Sequence, residues 1–211
     1  MKLFLDTADT RVWDQLADTG YWHGITTNPL LLQRAGVPCT LKSLSALYQH
    51  AMAMGYGELH IQVFGDDWVD CGRAILAMGP NTRVKVPAIA RGFKAADAIG
   101  SPTRTTFTAV YSTGQVMAAS AFGAAYCAPY YARLSEATSQ QIADQAFDQM
   151  AVATGNTELL VASLRNVDQV AALAGRGFSC FALPGAIASQ WTDPALALEA
   201  VSDFEKAAVL T

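Results

Sequence analysis

The chain has 211 residues, of which 52% are hydrophobic and only 15% charged, and its formal net charge is −4. This composition fits a large buried core or a chain that hides further surface in an oligomer. Basic residues are scattered, which argues against nucleic-acid binding, and no stretch reaches the ~20 apolar residues of a membrane helix. Asp6 and Asp9 interrupt the amino-terminal apolar run, so we expect no signal peptide.

The cysteines are widely spaced and form no CxxC pair; they are Cys39, Cys71, Cys127 and Cys180. This spacing fits reduced thiols better than a disulfide framework or a zinc site. The three histidines show no metal-ligand spacing either. We therefore expect a cytoplasmic protein without a bound metal.

Eight short apolar runs predict β-strands, and the segments between them show the apolar spacing of helices. The predicted strands are Lys2–Asp6, Gly24–Thr27, Leu59–Phe64, Thr82–Val86, Thr105–Ala109, Tyr126–Ala128, Glu158–Ser163 and Ser179–Leu183. The predicted helices are Ala8–Thr19, Thr40–Met54, Asp66–Met78, Ser112–Phe122, Gln140–Ala153, Asn166–Ala174 and Pro194–Val209.

Strands that alternate with helices predict an α/β fold with a parallel sheet. A closed (β/α)₈ TIM barrel is the natural form, here as a single domain of residues 1–211. The alternative is an open doubly wound sheet, which usually has a glycine-rich phosphate loop after its first strand. Asp6-Thr7-Ala8-Asp9 occupies that place in this chain, which favours the barrel.

Lys85 lies alone in an apolar run, Arg83-Val84-Lys85-Val86-Pro87. The alternation turns the lysine away from the valines, and Pro87 places it near the end of its strand. A buried ammonium is costly, and its pKa commonly falls. A neutral lysine can attack a carbonyl and form a Schiff base. The alternative is a lysine whose stem is buried while its head reaches solvent or a carboxylate.

Polar residues recur where the predicted strands end, and in a barrel these ends converge on one face. Each of them could instead be a helix cap, a turn residue or part of a surface salt bridge. The polar residues at these ends are Asp6, Thr26, Asn28, Gln62, Lys85, Thr108, Tyr130, Arg133, Ser163 and Arg165.

A Schiff base on Lys85 would need a base to remove a hydroxyl proton, and Asp6 is the best candidate. Asn28 could hold the substrate hydroxyls. An ordered water would need polar neighbours, and the candidates are Gln62, Thr108 and Tyr130. A phosphate could be clamped by two arginines and a hydroxyl. The candidates for that clamp are Arg133, Ser163 and Arg165.

Five segments resemble the signature segments of the transaldolase family, in the right order and across nearly the whole chain. The closest resemblance is to the short branch, which includes fructose 6-phosphate aldolases and small transaldolases. The segments are Leu3-Phe4-Leu5-Asp6-Thr7-Ala8, Ile25-Thr26-Thr27-Asn28-Pro29, Val84-Lys85-Val86-Pro87, Ala128-Pro129-Tyr130 and Ala162-Ser163-Leu164-Arg165-Asn166.

The resemblance implies a (β/α)₈ barrel, a class I aldolase mechanism, sugar phosphate substrates and no metal or other cofactor. It implies that Lys85 is the Schiff-base lysine, that Asp6 is the acid/base and that Asn28, with Thr26, binds substrate. It places the catalytic water at Gln62, Thr108 and Tyr130, and the phosphate at Arg133, Ser163 and Arg165.

The short branch is also known for decamers in which the C-terminal helix packs on a neighbouring subunit. Helix 194–209 could serve in this way, so the resemblance implies a homo-oligomer.

Two positions bear on the subtype. Transaldolases usually carry a glutamate where Gln62 stands and a phenylalanine where Tyr130 stands. The Gln and Tyr pair is similar to the aldolases, and a phenol can protonate the enamine or activate water. We therefore expect an aldolase that releases dihydroxyacetone, with a transaldolase as the alternative. A second alternative is a non-catalytic phosphosugar-binding barrel in which Lys85 and Asp6 form a buried ion pair.

Overall fold

The predicted strands are apolar on both faces, as expected for a parallel sheet with side chains inside it and helices outside. A computed structural model of the protein describes residues 1–191 and 193–208 and confirms these strands as one eight-stranded sheet. The strands are β1 (Lys2–Asp6), β2 (Trp22–Thr26), β3 (Glu58–Gln62), β4 (Thr82–Pro87), β5 (Thr105–Val110), β6 (Tyr126–Pro129), β7 (Glu158–Leu159) and β8 (Cys180–Leu183).

Neighbouring strands pair in parallel, in the order β7-β6-β5-β4-β3-β2-β1-β8. Beyond β7 the chain stays extended, and a bridge between Val161 and Phe181 joins the two edges of the sheet. The Val161 amide donates to the Cys180 carbonyl over 2.9 Å, and the Ala182 amide donates to the Val161 carbonyl over 2.8 Å. These bonds close the barrel and confirm the predicted (β/α)₈ fold.

Helices cover the outside of the barrel, and most of them lie where the sequence predicts. The helices of the described residues are α1 (Thr10–Leu16), α2 (Pro29–Arg34), α3 (Leu41–Ala53), α4 (Trp68–Ala77), α5 (Ala90–Ile99), α6 (Thr113–Phe122), α7 (Tyr131–Ala137), α8 (Gln140–Val152), α9 (Val167–Gly175), α10 (Gly185–Ala188) and α11 (Ala195–Ala207).

Four of these helices, α2, α5, α7 and α10, were not predicted. The N-cap residues of α5 and α7, Ile89 and Tyr130, make no capping hydrogen bond through their side chains. The usual polar start signal is therefore missing. Helix α2 does carry such a signal, because Asn28 caps it and Pro29 is its first residue.

The strands separate two hydrophobic cores. The outer core fills the space between sheet and helices, and it includes Val84 and Val86 on either side of Lys85. The inner core lies within the barrel around Phe4, together with Tyr126, and both residues are buried. Lys85 therefore points into the barrel, as the alternation of its strand predicts.

The amino-terminal half of the barrel interior is polar, and its charged side chains form ion pairs with one another. Lys2 Nζ lies 2.6 Å from Glu158 Oε2, and Arg83 Nη2 lies 2.6 Å from Glu58 Oε1. The fully buried His60 has its Nε2 3.0 Å from Glu58 Oε2. Burial lowers the pKa of His60 to about 4, so this ring is neutral near pH 7.

His60 is a large side chain within β3, and its fit bears on the position of that strand. The strand keeps a regular parallel register with both neighbours, and His60 pairs with Thr26 on one side and Arg83 on the other. The ring packs edge-on against Phe4, with centroids 4.9 Å apart. The imidazole is therefore accommodated inside the barrel while β3 keeps its register with both neighbours.

The C-terminal helix α11 matches the prediction of a helix from Pro194 to Val209, whose last residue lies outside the described part of the chain. None of the α11 side chains in the described range is buried. Its exposed large apolar residues are Leu196, Leu198, Val201 and Phe204. Across the described residues, every helix is too short or too polar to cross a membrane.

Gly92 sets the approach of α5 to the end of β4, the strand that carries Lys85. A Cβ atom at this position would overlap the backbone carbonyl oxygen of Pro87 and crowd Val86. Because the obstacle is backbone, it cannot rotate away, and either the helix or the strand end has to move.

We predict that Gly92→Ala lowers the free energy of unfolding by about 2 kcal/mol, within the usual cost of overpacking. The matched control is Gly114→Ala, which places the same methyl group on α6 near only Ser112 Oγ at 3.9 Å. Alanine in that helix should be neutral or should stabilise by up to about 1 kcal/mol. Urea unfolding followed by circular dichroism measures both, and equal effects would contradict the close-approach account.

Candidate active site

The polar residues predicted at the strand ends do converge at the carboxyl-terminal mouth of the barrel. Of the ten predicted site residues, seven line one pocket there, and the other three lie next to residues that line it. The lining residues are Asp6, Asn28, Leu30, Leu31, Arg34, Lys85, Tyr130, Arg133, Ala162, Ser163, Leu164, Arg165 and Pro184.

Lys85 projects from β4 into the base of this pocket and is only 4% exposed. Burial lowers the pKa of its amine, and the carboxylate of Asp6 opposes that shift only in part. No carboxylate oxygen of the described residues lies within 4.0 Å of the amine. The lysine is therefore desolvated without a salt bridge, which favours the neutral and nucleophilic form.

Asp6 ends β1, and its carboxylate is held by the next strand. Thr26, which is buried at the end of β2, donates its hydroxyl to Asp6 Oδ1 over 2.5 Å. The hydrogen bond fixes the carboxylate over the pocket. Within the described residues Oδ2 has no hydrogen-bond partner, so it is available to a ligand. Thr26 was predicted to bind substrate, but its hydroxyl donates to Asp6 and Thr26 is not among the residues that line the pocket.

Tyr130 lies at the end of β6 and is hydrogen-bonded through its hydroxyl to Thr108 Oγ1 at 2.9 Å. Burial raises the pKa of the phenol, although the Thr108 hydrogen bond and Arg133 counteract this. The phenol is therefore protonated near pH 7 and can donate a hydrogen bond. The Tyr111 ring packs edge-on against it, with centroids 5.6 Å apart.

Gln62 ends β3 directly beside the lysine strand. Its Cα pairs with that of Lys85 in the register of β3 and β4. The residue is half-buried, and its side-chain amide makes no hydrogen bond to any other described residue. The amide therefore has free donor and acceptor capacity close to the amine.

Asn28 has a structural task in addition to its place in the pocket. Its Oδ1 accepts hydrogen bonds from the backbone amides of Leu30 and Leu31, each over 3.0 Å, and thereby caps α2. The carbonyl side of this amide is thus occupied. Only its NH₂ group remains to bind a ligand, so Asn28 can act as a donor to a hydroxyl or carbonyl oxygen.

Ser163 occupies an unusual backbone position where the chain leaves the barrel after β7. Its φ of 59° is in the left-handed region, which non-glycine residues seldom adopt. Its hydroxyl is buried and has no hydrogen-bond partner among the described residues. A buried polar group without a partner is costly, and a bound ligand would relieve that cost.

The two predicted arginines differ in their surroundings. Arg133 lies over the Tyr130 ring, with 5.1 Å between the guanidinium carbon and the ring centroid. Arg165 is paired with Glu136, with Nε–Oε1 and Nη2–Oε2 distances of 2.9 and 3.2 Å. Both members of that pair are about half exposed. The pair is therefore a weak surface contact that a stronger anion can replace.

Six of the lining residues were not among the predicted site residues. They are Ala162, Leu164 and Pro184, and three others, Leu30, Leu31 and Arg34. The last three belong to α2, the short helix that was not predicted. Asn28 was predicted to bind substrate, with a turn residue as the alternative, but an N-cap residue followed by proline also marks a helix start. That signal would have placed a helical turn, with Arg34 at its end, beside the mouth of the barrel.

Fold and site define a TIM-barrel protein with an arginine-rimmed pocket around a buried lysine, located where TIM barrels carry their active sites. The model of the Transaldolase/Fructose-6-phosphate aldolase family matches residues 3–179 of the chain. The protein therefore belongs to this enzyme family, and the predicted resemblance is confirmed.

Individual relatives agree with the family. A probable transaldolase of Bacteroides fragilis is 34% identical over 140 residues, which are 64% of this chain and 64% of that protein's length. A probable transaldolase of Caulobacter sp. is 31% identical over 200 residues, covering 88% of this chain and 86% of that one. Thiamine phosphate pyrophosphorylase from Pyrococcus furiosus shares only the fold, with a TM-score of 0.63 at 13% identity over 87% and 85% of the chains.

We predict that Lys85→Met raises the free energy of unfolding near pH 7. The pKa of Lys85 is lower in the folded than in the unfolded protein. The unfolded chain therefore binds the proton more tightly, and the lysine destabilises the fold below its folded pKa. This cost fades as the pH rises toward the unfolded pKa of about 10.4.

Urea unfolding near pH 7 and near pH 10 measures the difference, which should shrink at the higher pH. The control is Lys94→Met, which changes an exposed lysine on α5. It should leave the stability nearly unchanged at both pH values. A Lys85→Met protein that is less stable than the wild type at neutral pH would show that the amine is held by a favourable ion pair.

Proposed function

We propose that the protein is a class I aldolase that cleaves or forms fructose 6-phosphate through a Schiff base between Lys85 and a dihydroxyacetone unit. The observation that carries the proposal is the burial of Lys85, which is 4% exposed at the base of the pocket and makes no salt bridge to any described carboxylate. A desolvated amine of this kind is the nucleophile that carbonyl chemistry needs.

The bond changes follow from the arrangement around Lys85. Its nitrogen attacks C2 of the ketose, and loss of water gives a protonated imine. Asp6 Oδ2 then removes the proton from the C4 hydroxyl, the C3–C4 bond breaks, and its electron pair enters the imine to form an enamine. Glyceraldehyde 3-phosphate leaves. Thr26 holds the carboxylate for this step, and the Asn28 amide donates to the substrate oxygens.

Release of dihydroxyacetone requires protonation of the enamine and hydrolysis of the imine by water. The Tyr130 hydroxyl, fixed by Thr108, is a proton donor at the pocket. The free amide of Gln62 lies beside Lys85 and can orient the attacking water. In this proposal, these three side chains make the enzyme an aldolase.

The phosphate of the substrate would lie at the rim of the pocket. Arg133 and Arg165 supply positive charge, and the unpartnered Ser163 hydroxyl supplies a hydrogen-bond donor. Arginine matches phosphate oxygens with several parallel donors, which makes this rim suitable for a phosphate group.

A transaldolase is the second candidate, and the names of the relatives favour it, because they are called probable transaldolases. In that case the enamine would persist until it added to an aldose phosphate acceptor of the pentose phosphate pathway. The remaining alternative, a non-catalytic phosphosugar-binding barrel, is less well supported. That alternative needs a buried Lys85–Asp6 ion pair, whereas Lys85 has no carboxylate within 4.0 Å among the described residues.

The proposal includes a homo-oligomer in the cytoplasm. The exposed leucines, valine and phenylalanine of α11 make an apolar face that a second copy of the chain would cover, and a decamer is the form that the family resemblance implies. The four free cysteines fit a reducing compartment.

The test is to supply fructose 6-phosphate with and without erythrose 4-phosphate and to measure free dihydroxyacetone and glyceraldehyde 3-phosphate. We predict that both products appear without the acceptor. In the matched variant Tyr130→Phe, which keeps the ring and removes the proton donor, the yield of free dihydroxyacetone should fall at least tenfold. Transfer to erythrose 4-phosphate should persist.

Turnover of the wild type only in the presence of erythrose 4-phosphate would assign the protein as a transaldolase instead. Unchanged release of dihydroxyacetone by Tyr130→Phe would remove the proposed role of its hydroxyl. Absence of turnover and of binding with either substrate would contradict both enzyme assignments.

A further inference from the structure

Arg34 is the third arginine of the pocket, and it lies on a different side of the pocket from Arg133 and Arg165. It is the last residue of α2, which follows β2, whereas Arg133 and Arg165 follow β6 and β7. In the closed sheet, β1 and β8 lie between β2 and β7. A ligand seated over Lys85 therefore has positive charge on two sides.

Arg34 also carries a charge that no carboxylate in the described part of the chain neutralises. No carboxylate of the described residues lies within 4.0 Å of its guanidinium group, whereas Arg165 is engaged by Glu136. Asp6 is the single carboxylate among the pocket-lining residues of the described chain, and Thr26 already binds one of its oxygens. The pocket thus has an excess of positive charge that suits a dianion.

A purely structural role would be interaction of Arg34 with the C-terminal end of α2, whose partial negative charge favours a cation. That role needs only charge near the last turn, and it predicts an effect on folding stability alone. It does not account for the place of Arg34 in the lining of the pocket that contains Lys85. The two roles separate in an assay that compares phosphorylated with unphosphorylated substrates.

We propose that Arg34 is a phosphate-binding residue that sets the preference of this enzyme for phosphorylated aldehydes. Its guanidinium group would contact the phosphate from the side of the pocket formed by α2, which lies opposite Arg133 and Arg165. The proposal rests on the function proposed above and adds a specificity-determining residue to it. Lysine at this position keeps the charge but loses the planar donors of arginine, so it should restore only part of the binding.

The experiment measures aldol addition of dihydroxyacetone to D-glyceraldehyde 3-phosphate and to unphosphorylated D-glyceraldehyde. In Arg34→Gln, KM for the phosphorylated aldehyde should rise roughly tenfold or more, the usual effect of losing a charge-assisted hydrogen bond. KM for D-glyceraldehyde should stay within about twofold, and Arg34→Lys should be intermediate. The control Arg73→Gln changes an exposed arginine on α4 and should alter neither value.

Equal changes of KM for both aldehydes, or no change for either, would overturn the role of Arg34. Glu136→Gln adds an independent check, because it releases Arg165 from its partner. It should lower KM for the phosphorylated aldehyde about two- to threefold. A higher KM in this variant would contradict the charge balance described for the rim.

Binding without turnover separates this proposal from the proposed function. Calorimetry with fructose 6-phosphate compares Lys85→Met with the double variant Lys85→Met/Arg34→Gln, neither of which can form the Schiff base. A roughly tenfold weaker affinity in the double variant supports Arg34 even if the wild type shows no aldolase activity. Equal affinities overturn the proposal even if the wild type is an active aldolase.

Discussion

The constraint on which the whole site depends is the burial of one amine, that of Lys85, inside a parallel barrel. The alternation of β4 turns the valines outward into the core beneath the helices and leaves the lysine inside. Burial lowers the pKa of the amine, and the carboxylate of Asp6, which opposes this shift, lies more than 4.0 Å from it. The protein thus maintains an energetically unfavourable group at the centre of its fold, which is typical of a site kept for chemistry.

The interior of the barrel divides into two halves that treat polar groups differently. In the amino-terminal half, charges are matched, with Lys2 on Glu158 and Arg83 on Glu58. In the carboxyl-terminal half, three polar groups have no partner among the described residues: the Lys85 amine, one oxygen of Asp6 and the Ser163 hydroxyl. The charges of the first half are already paired, whereas the three groups of the second half are available to a ligand, which agrees with the location of active sites in TIM barrels.

The barrel and most of its site were predictable because the relevant signals are local. Strand alternation placed Lys85, and strand ends placed Asp6 and Tyr130 at one face. Helix α5 was missed because Ile89 offers no capping side chain. Arg34 was missed because a six-residue helix has little periodicity to detect.

Other features of the site depend on contacts between distant residues. The pairing of Arg165 with Glu136 joins positions 29 residues apart, and nothing in the local pattern around either residue indicates it. The Asp6–Thr26 hydrogen bond joins the ends of two neighbouring strands and depends on their register. The left-handed backbone of Ser163 is likewise imposed by the packing where the chain leaves the barrel, since serine has no intrinsic preference for it.

The most direct test of the account is borohydride reduction in the presence of fructose 6-phosphate, followed by mass spectrometry of the intact protein and of its peptides. We expect one reduced dihydroxyacetone adduct per chain, located on Lys85, and none without substrate. The other lysines, Lys2, Lys42, Lys94 and Lys206, serve as internal controls in the same digest. An adduct on one of those lysines, or no adduct during active turnover, would contradict the claim that Lys85 is the nucleophile.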